Sequence, residues 1–254
     1  MNAKAVILLT ASVNVKGMVF TNLQDVEIRA LHYIEAIKFY FNETQLPIII
    51  AENTNHDFTN ALPAEILNSG RIELLSFDGN QFPKTFGKGY GELESIHHAV
   101  LHSKFINPNT KIIKVTGRYK VFNIKVFIKS VAKNDNILCR AMYFKGQLKA
   151  FSGIFIFDQH FIENYLMANH ELMNDSKGIY FEHVLATTFL KYIADGNKFA
   201  LLCAYPRLLG ISGTENIQHR TNNYYFWLRR NIIYKVVKVN YLALDWVIKT
   251  FLQG

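Results

Sequence analysis

Four short apolar runs in the first half of the chain, each closed by polar residues and separated by other stretches, constrain the fold more than any other feature. Residues 4–10 (KAVILLT) and the run opened by Pro47 (PIIIAENTN) are nearly continuous in apolar character, and Arg71–Phe77 and Lys111–Val115 read as the third and fourth strands. Such runs suit strands covered on both faces, the situation of a parallel sheet. Between them, Asp25–Tyr40 carries apolar residues at helical spacing (Val26, Ile28, Leu31, Ile34, Ile37, Phe39), Pro63–Ser69 reads as a short helix, and Gly91–Lys104 as an amphipathic one. The alternation predicts an α/β fold: an open, mixed, Rossmann-type sheet flanked by helices, with ligands gathering beyond the C-terminal ends of the strands. Thr10–Asn14, Glu52–Asn55, Asp78–Gly79 and Thr116–Arg118 supply the polar groups expected there.

The stretch from Lys84 to Tyr119 is the richest in chemistry. Gly87, Gly89 and Gly91 suggest a flexible turn that opens a helix, where a backbone can approach a ligand and unpaired N–H groups can meet an anion. Lys88 sits in that turn and Arg118 at the end of the fourth strand. Two cations and a helix terminus at one place point to a phosphate-bearing substrate, read here as a nucleotide-sugar diphosphate.

Beyond residue 120 the pattern changes. Val126–Val131, Ile137–Phe144, Leu148–Phe157 and Lys198–Ala204 read as strands, and Phe161–Met173 and Tyr180–Ile193 as helices. The reading is one catalytic domain over residues 1–220, with a nucleotide-binding half (1–120) and an acceptor half (121–220), followed by a helical extension over 221–254. That extension mixes Arg229, Arg230, Lys235, Lys238 and Lys249 with Trp227, Tyr234, Tyr241 and Trp246, as a helix on an anionic membrane surface does.

Charge narrows the partners. A formal charge of +8 and a pI near 9.3 favour anionic ligands, yet no zinc spacing, RNP-like motif or helix-turn-helix signature accompanies it, so nucleic acid is not expected. Cys139 and Cys203 lie apart in apolar runs and read as free thiols of a reducing compartment. The N-terminal apolar stretch is short and β-branched, and reads as a strand rather than a signal peptide. No run is long enough to span a bilayer. The expected location is the cytoplasm, with peripheral attachment to the inner face of the cell membrane.

The phrases GKGYGELESIHHAV, IIKVTGRY, FSGIFIF, GIYFEHVLA and PRLLGISGT, in that order, resemble a GT-A-type glycosyltransferase of the small bacterial kind that builds capsule or O-antigen polysaccharide. The resemblance implies transfer of a sugar from a nucleotide-diphosphate sugar, a UDP-sugar by default, to a saccharide or polyprenyl-linked acceptor. It places the base of an inverting enzyme at the start of a helix, at Glu182, and acceptor contacts at Ser152, Gly153, His183 and Ser212. One departure is plain: where that family ends the fourth strand in a metal-holding Asp-x-Asp, this chain has Val115–Arg118. The expectation is therefore no metal cofactor, with the Arg118 guanidinium supplying the charge as a bidentate partner of phosphate oxygens; Asp78 and Asp158 are the remaining candidates for recruiting an ion.

Arg118 and Glu182 are the catalytic candidates: fixed cations stabilise the leaving diphosphate, and a carboxylate between aromatics can accept the acceptor's proton. Arg207 and Arg220 are further phosphate candidates. Donor binding is assigned to Thr10, Ser12, Glu52, Asn53, Asn55, Lys88, Gly89, Glu92, Thr116 and Gly117, against the plain alternative that the Asn, Ser and Thr residues serve turns. His97, His98 and His102 read as surface or packing residues, and 210–214 as a lid or diphosphate cradle, or a plain turn. Two other functions fit the composition: a nucleotidyltransferase on the same kind of sheet, and a basic module that binds RNA or another anionic polymer.

Overall fold

The computed structural model describes residues 4–15, 18, 21–133, 137–144, 147–211 and 218–237. Ser212, Gly213, Thr214, Lys238, Tyr241, Trp246 and Lys249, singled out above, lie outside the described residues.

The first half alternates as expected: β1 (Ala5–Ala11), α1 (Val26–Glu43), β2 (Ile48–Glu52), α2 (Ala64–Leu67), β3 (Ile72–Ser76), α3 (Lys88–His102) and β4 (Lys111–Thr116). The second half is more broken: β5 (Lys120–Val121), α4 (Ile124–Val131), β6 (Ile137–Cys139), β7 (Ala141–Phe144), β8 (Gln147–Ala150), β9 (Ile154–Phe157), α5 (Gln159–Phe161), α6 (Phe181–Ala194), β10 (Phe199–Leu201) and β11 (Leu208–Leu209). A last helix, α7, spans residues 224–237.

The main sheet is mixed and seven-stranded, in the order β10-β6-β9-β4-β1-β2-β3. β9 runs antiparallel to β4 and β6, and the other neighbouring pairs are parallel. After β1 the chain moves outward through β2 and β3, then returns through α3 to place β4 on the other side of β1. That reversal opens a crevice beyond the C-terminal ends of β1 and β4, the usual ligand position in open α/β sheets.

Both faces of the sheet are covered. Ile7 and Leu9 of β1 point into a core with Ile37, Tyr40 and Phe127, while Val6 and Leu8 point into one with Leu93, Phe155, Phe161 and Phe189. Strand alternation on a sheet with two wrapped faces accounts for the nearly continuous apolar runs.

Several expectations are corrected. Val126–Val131 is helical, because Ile124, Phe127 and Val131 are its buried positions and recur at 3.6-residue spacing. Leu148–Phe157 is two strands, β8 and β9, separated by residues 151–153; Ile137–Phe144 likewise divides into β6 and β7, which pairs with β8 as a hairpin. Phe161–Met173 is not one α-helix but a short α-turn followed by π and 3-10 turns. In α1 the buried face is Arg29, Ala30, Tyr33, Ala36, Ile37 and Tyr40, so Val26, Ile28 and Leu31 face solvent. α3 begins at Lys88, which leaves only Gly87 (φ +86°) in the turn. Gly89 and Gly91 instead allow close packing: a Cβ on Gly89 would lie 2.6 Å from Phe181 Cβ, and one on Gly91 would lie 2.9 Å from Asn53 Nδ2.

Candidate active site

The crevice at the β1–β4 reversal is a cleft of about 250 Å³. Its floor is a polar network that ties three elements together. Thr10 and Thr116 are register partners at the ends of β1 and β4, and their hydroxyls donate to Glu92 Oε1 of α3 at 2.9 and 3.0 Å. Lys114, wholly buried in β4, donates to the same Oε1 at 2.6 Å and to the Ser152 carbonyl at 2.7 Å. Burial by itself would raise the Glu92 pKa; the Lys114 ammonium and the two threonine hydroxyls outweigh it and hold the carboxyl below its ordinary value. The Glu92 carboxylate thus has its charge matched from below by Lys114, and about one fifth of its side chain is exposed.

One wall is the loop after β1. Ser12 Oγ donates to Asn53 Oδ1, and Asn53 Nδ2 donates to the Gly91 carbonyl at 3.0 Å, so β2 is tied to α3. The Arg29 guanidinium holds the loop from beneath, donating to the carbonyls of Ser12, Val13 and Leu23 and to Tyr33 Oη. The opposite wall carries Ser152, whose hydroxyl donates to Glu182 Oε1 at 2.6 Å at the start of α6.

Cations and carboxylates meet at the rim. Arg118 is 8% exposed, donates through Nη1 to the Ile211 carbonyl at 3.0 Å, and has a buried Nε with no hydrogen-bond partner among the described residues. Lys88 lines the same cleft. Burial lowers its pKa, opposed by the carboxylates of Glu182, Asp175 and Glu92 and reinforced by Arg118. Asp175 is buried against the start of α3 and accepts the Lys88 backbone N–H. Desolvation pushes its pKa up to about 6, with Lys88 opposing and Glu182 adding to the rise. A Cβ on Gly87 would fall 2.0 Å from this carboxylate, so glycine is required there sterically as well as by its positive φ. The protein's own Asp175 therefore occupies one N–H of the helix terminus that sequence reasoning offered to a phosphate.

Of the residues singled out in the sequence, the fold brings Thr10, Ser12, Asn53, Lys88, Gly89, Glu92, Thr116, Arg118, Ser152, Gly153 and Glu182 to this cleft. Others sit elsewhere. Glu52 is buried beside it, and its two oxygens accept backbone N–H groups of Val13, Thr54 and His56 and the Thr54 hydroxyl. Asn55 takes a left-handed turn conformation, φ +57°. Gly117 lets β4 pass β1, since a Cβ would meet the Thr10 carbonyl at 2.6 Å. His183 accepts the Tyr180 N–H as part of the α6 cap. Arg207 is held between the rings of Phe122 and Tyr224, outside the cleft, and Arg220 belongs to a 3-10 turn before α7. His98 stacks between Phe77 and His102, which is packing. Asp158 pairs with Lys111 and caps α5, and Asp78 accepts from Gln81, both away from the cleft. Among the described residues, no three His, Cys, Asp or Glu side chains are grouped to hold an ion.

Sequence reasoning missed Lys114, Asp175, Arg29 and Tyr33. Lys114 left a signal: a lone lysine within an apolar run, on the same strand face as the buried Ile112. A buried ammonium requires a partner, and Glu92 was the carboxylate to seek.

No family model matches the chain, and no curated protein matches its sequence. Several solved structures are similar to it over most of their length. A cytidylyltransferase from Leptospira borgpetersenii is 14% identical, with TM-score 0.39 over 80% of this chain and 76% of that one. A UTP-bound UGPase from Acinetobacter baumannii is 9% identical, with TM-score 0.43 over 91% and 92%. The 4-diphosphocytidyl-2C-methyl-D-erythritol synthase from Anaerococcus prevotii is 13% identical, with TM-score 0.41 over 91% and 97%. None of the three is named as a glycosyltransferase. What stands of the expectation is the Rossmann-like mixed α/β sheet.

Proposed function

We propose that the cleft binds a nucleotide or nucleotide-sugar by its phosphates and that the protein is a transferase acting on that ligand. The observation that supports this most is Arg118: a buried guanidinium whose Nε has no partner among the described residues, lining the same cleft as Lys88 beyond the C-terminal end of β4. A guanidinium in that state is suited to a phosphate oxygen.

Within this class our reading is glycosyl transfer from a nucleotide-diphosphate sugar to a saccharide or lipid-linked saccharide, at the inner face of the cell membrane. Arg118 and Lys88 would take up the negative charge that builds on the departing diphosphate as the sugar–oxygen bond breaks. Glu182 would accept the proton of the attacking hydroxyl, its other oxygen held by Ser152. On this reading fixed cations do the work for which a metal is otherwise used, and inversion at the anomeric carbon follows from Glu182 acting as a base.

A second reading, nucleotidyl transfer, is favoured by one observation: Asp175 and Glu182 are carboxylates of the same cleft that feel each other's charge. The absence of carboxylates at the end of β4 therefore does not extend to the cleft. One or two carboxylates with substrate phosphates are enough for a magnesium ion, which would neutralise a triphosphate.

Phosphorus NMR of the products separates the two. Glycosyl transfer predicts release of nucleoside diphosphate from UDP-, GDP- or dTDP-sugars, or of CMP from a CMP-sugar; nucleotidyl transfer predicts pyrophosphate from a nucleoside triphosphate and a sugar phosphate. Under the first, Glu182→Gln lowers turnover roughly 10²- to 10⁴-fold and leaves thermal stabilisation by donor intact. Near-normal turnover in both Glu182→Gln and Arg118→Ala would reject the site.

A further inference from the structure

Helix α7 has two faces of opposite character. Trp227, Asn231 and Tyr234, at spacing i, i+4, i+7, hold it to the segment after β10: Trp227 Nε1 donates to the Tyr205 carbonyl at 2.8 Å, Asn231 Oδ1 accepts the Tyr205 N–H at 3.0 Å, and Tyr234 Oη donates to the Leu202 carbonyl at 2.8 Å. The other face presents Tyr225, 80% exposed, with Ile232, Ile233, Val236 and Val237 each about half exposed. An aliphatic stripe this long on a helix already anchored by its opposite side is not explained by the fold that holds it.

The charges on and beside the stripe have one sign: Arg229 shares the face of Ile232, Ile233 and Val236 at spacing i, i+3, i+4, i+7, and Arg230 and Lys235 flank it. Arg229, Arg230 and Lys235 are exposed on the same helix, and residues 218–237 contain no Asp or Glu. α4 borders the same segment from the other side: the Cys203 sulfur lies 3.7 Å from the Val126 carbonyl oxygen, and Arg207 bridges Phe122 and Tyr224. α4 turns Lys125, Val126 and Lys129 outward, and residues 120–133 also lack an acid; Lys125 pairs with Glu43 of α1.

We propose that α7 docks on an anionic phospholipid bilayer, its Ile232, Ile233, Val236 and Val237 entering the boundary between headgroups and acyl chains while Arg229, Arg230 and Lys235 meet lipid phosphates. A second copy of the chain would set cations against cations across the contact. A nucleic acid would leave the aliphatic side chains without a use. A bilayer answers both features at once. No described helix is long and apolar enough to cross a membrane, so the contact lies along the surface. The proposal goes beyond the cleft and is independent of which group is transferred there.

The test is co-sedimentation of the full chain with vesicles of phosphatidylcholine alone and of phosphatidylcholine mixed with phosphatidylglycerol. Wild type is expected to bind the mixed vesicles roughly tenfold or more tightly, weakening with salt. Ile233→Asp with Val236→Asp is expected to lower that binding about tenfold without changing the melting temperature or nucleotide binding. Arg229→Glu with Arg230→Glu is expected to lose it by at least about fivefold per cation, on anionic vesicles only. Three results would overturn the proposal: no sedimentation of wild type with anionic vesicles, full binding by the aspartate variant, or a solution dimer that the aspartate variant dissociates. Polyuridylate displacing the vesicles equally from wild type and the aspartate variant would assign the surface to a polyanion instead.

Discussion

Glu92 and Glu52 both sit at the C-terminal edge of the sheet, both are largely withdrawn from water, and their surroundings give them opposite fates. Glu52, at the end of β2, is ringed by backbone N–H groups of the loops on either side and does not line the cleft. Glu92, at the start of α3, has one oxygen held by two threonines and a buried lysine and lines the cleft. Position beyond a strand end is therefore not enough to bring a carboxylate into the cleft. The deciding matter is whether backbone donors have already taken its acceptor capacity, as they have for Glu52, or whether a side-chain cation fixes it facing open space, as Lys114 does for Glu92.

The most forceful way to break this contrast is Lys114→Met. It leaves a carboxylate desolvated opposite an apolar side chain, and removal of one partner of a buried pair costs about 3–5 kcal/mol. Denaturant unfolding should show that loss, and Glu92→Gln in the same chain should restore most of it. If Lys114→Met alone were neutral, Glu92 would not depend on that pair. Glu52→Gln should be milder, about 1–3 kcal/mol, because an amide still accepts through one oxygen but turns a donor toward the N–H groups. Its nucleotide affinity should stay at the wild-type value. A large fall in affinity with unchanged stability would erase the distinction between the two glutamates.

How much of this was legible in the sequence follows the same division. β1 and β2 are legible because burial on both faces leaves nearly uninterrupted apolar runs, whereas β3, which carries the partly exposed Glu73, and β4, which carries the buried Lys114, are legible from the alternation of elements. The second half was misread where runs were short: IKVFIKSV is apolar enough for a strand, and only the positions of Ile124, Phe127 and Val131 mark a helix. In α1 the apolar spacing of Val26, Ile28, Leu31, Ile34, Ile37 and Phe39 marks the helix, and Ile34, Ile37 and Phe39 do reach the core, but nothing in that pattern announces that Arg29 and Tyr33 turn inward to hold the loop after β1 while Val26, Ile28 and Leu31 face solvent. In the site, residues close in sequence to a strand end were found. Asp175 was not, because it reaches α3 from a turn far along the chain and only the folded arrangement brings it there.

Asp175 supplies the smallest of the expected effects and the one that depends on pH. Its folded pKa is raised to about 6 from an ordinary value of 3.8, so the folded state holds the proton more tightly than the unfolded chain does. Linkage then makes this group's contribution most favourable below the unfolded value and progressively lost as pH rises through about 6. Asp175→Asn removes the titration while keeping an oxygen for the Lys88 N–H. The melting temperature of the variant relative to wild type should therefore climb between pH 4 and pH 7, by a few degrees. A difference that stays level across that range would mean Asp175 titrates normally.

The central claim is that Arg118 is the phosphate anchor of a cleft whose floor is Glu92 and Lys114. Calorimetric titration of wild type and Arg118→Ala with a nucleoside diphosphate and with its sugar conjugate tests it most directly. The account predicts saturable binding by wild type, a loss of roughly tenfold or more in Arg118→Ala, and an unaltered unfolding midpoint. Equal affinity of the two proteins for both ligands, or no binding of either ligand by wild type, would contradict it.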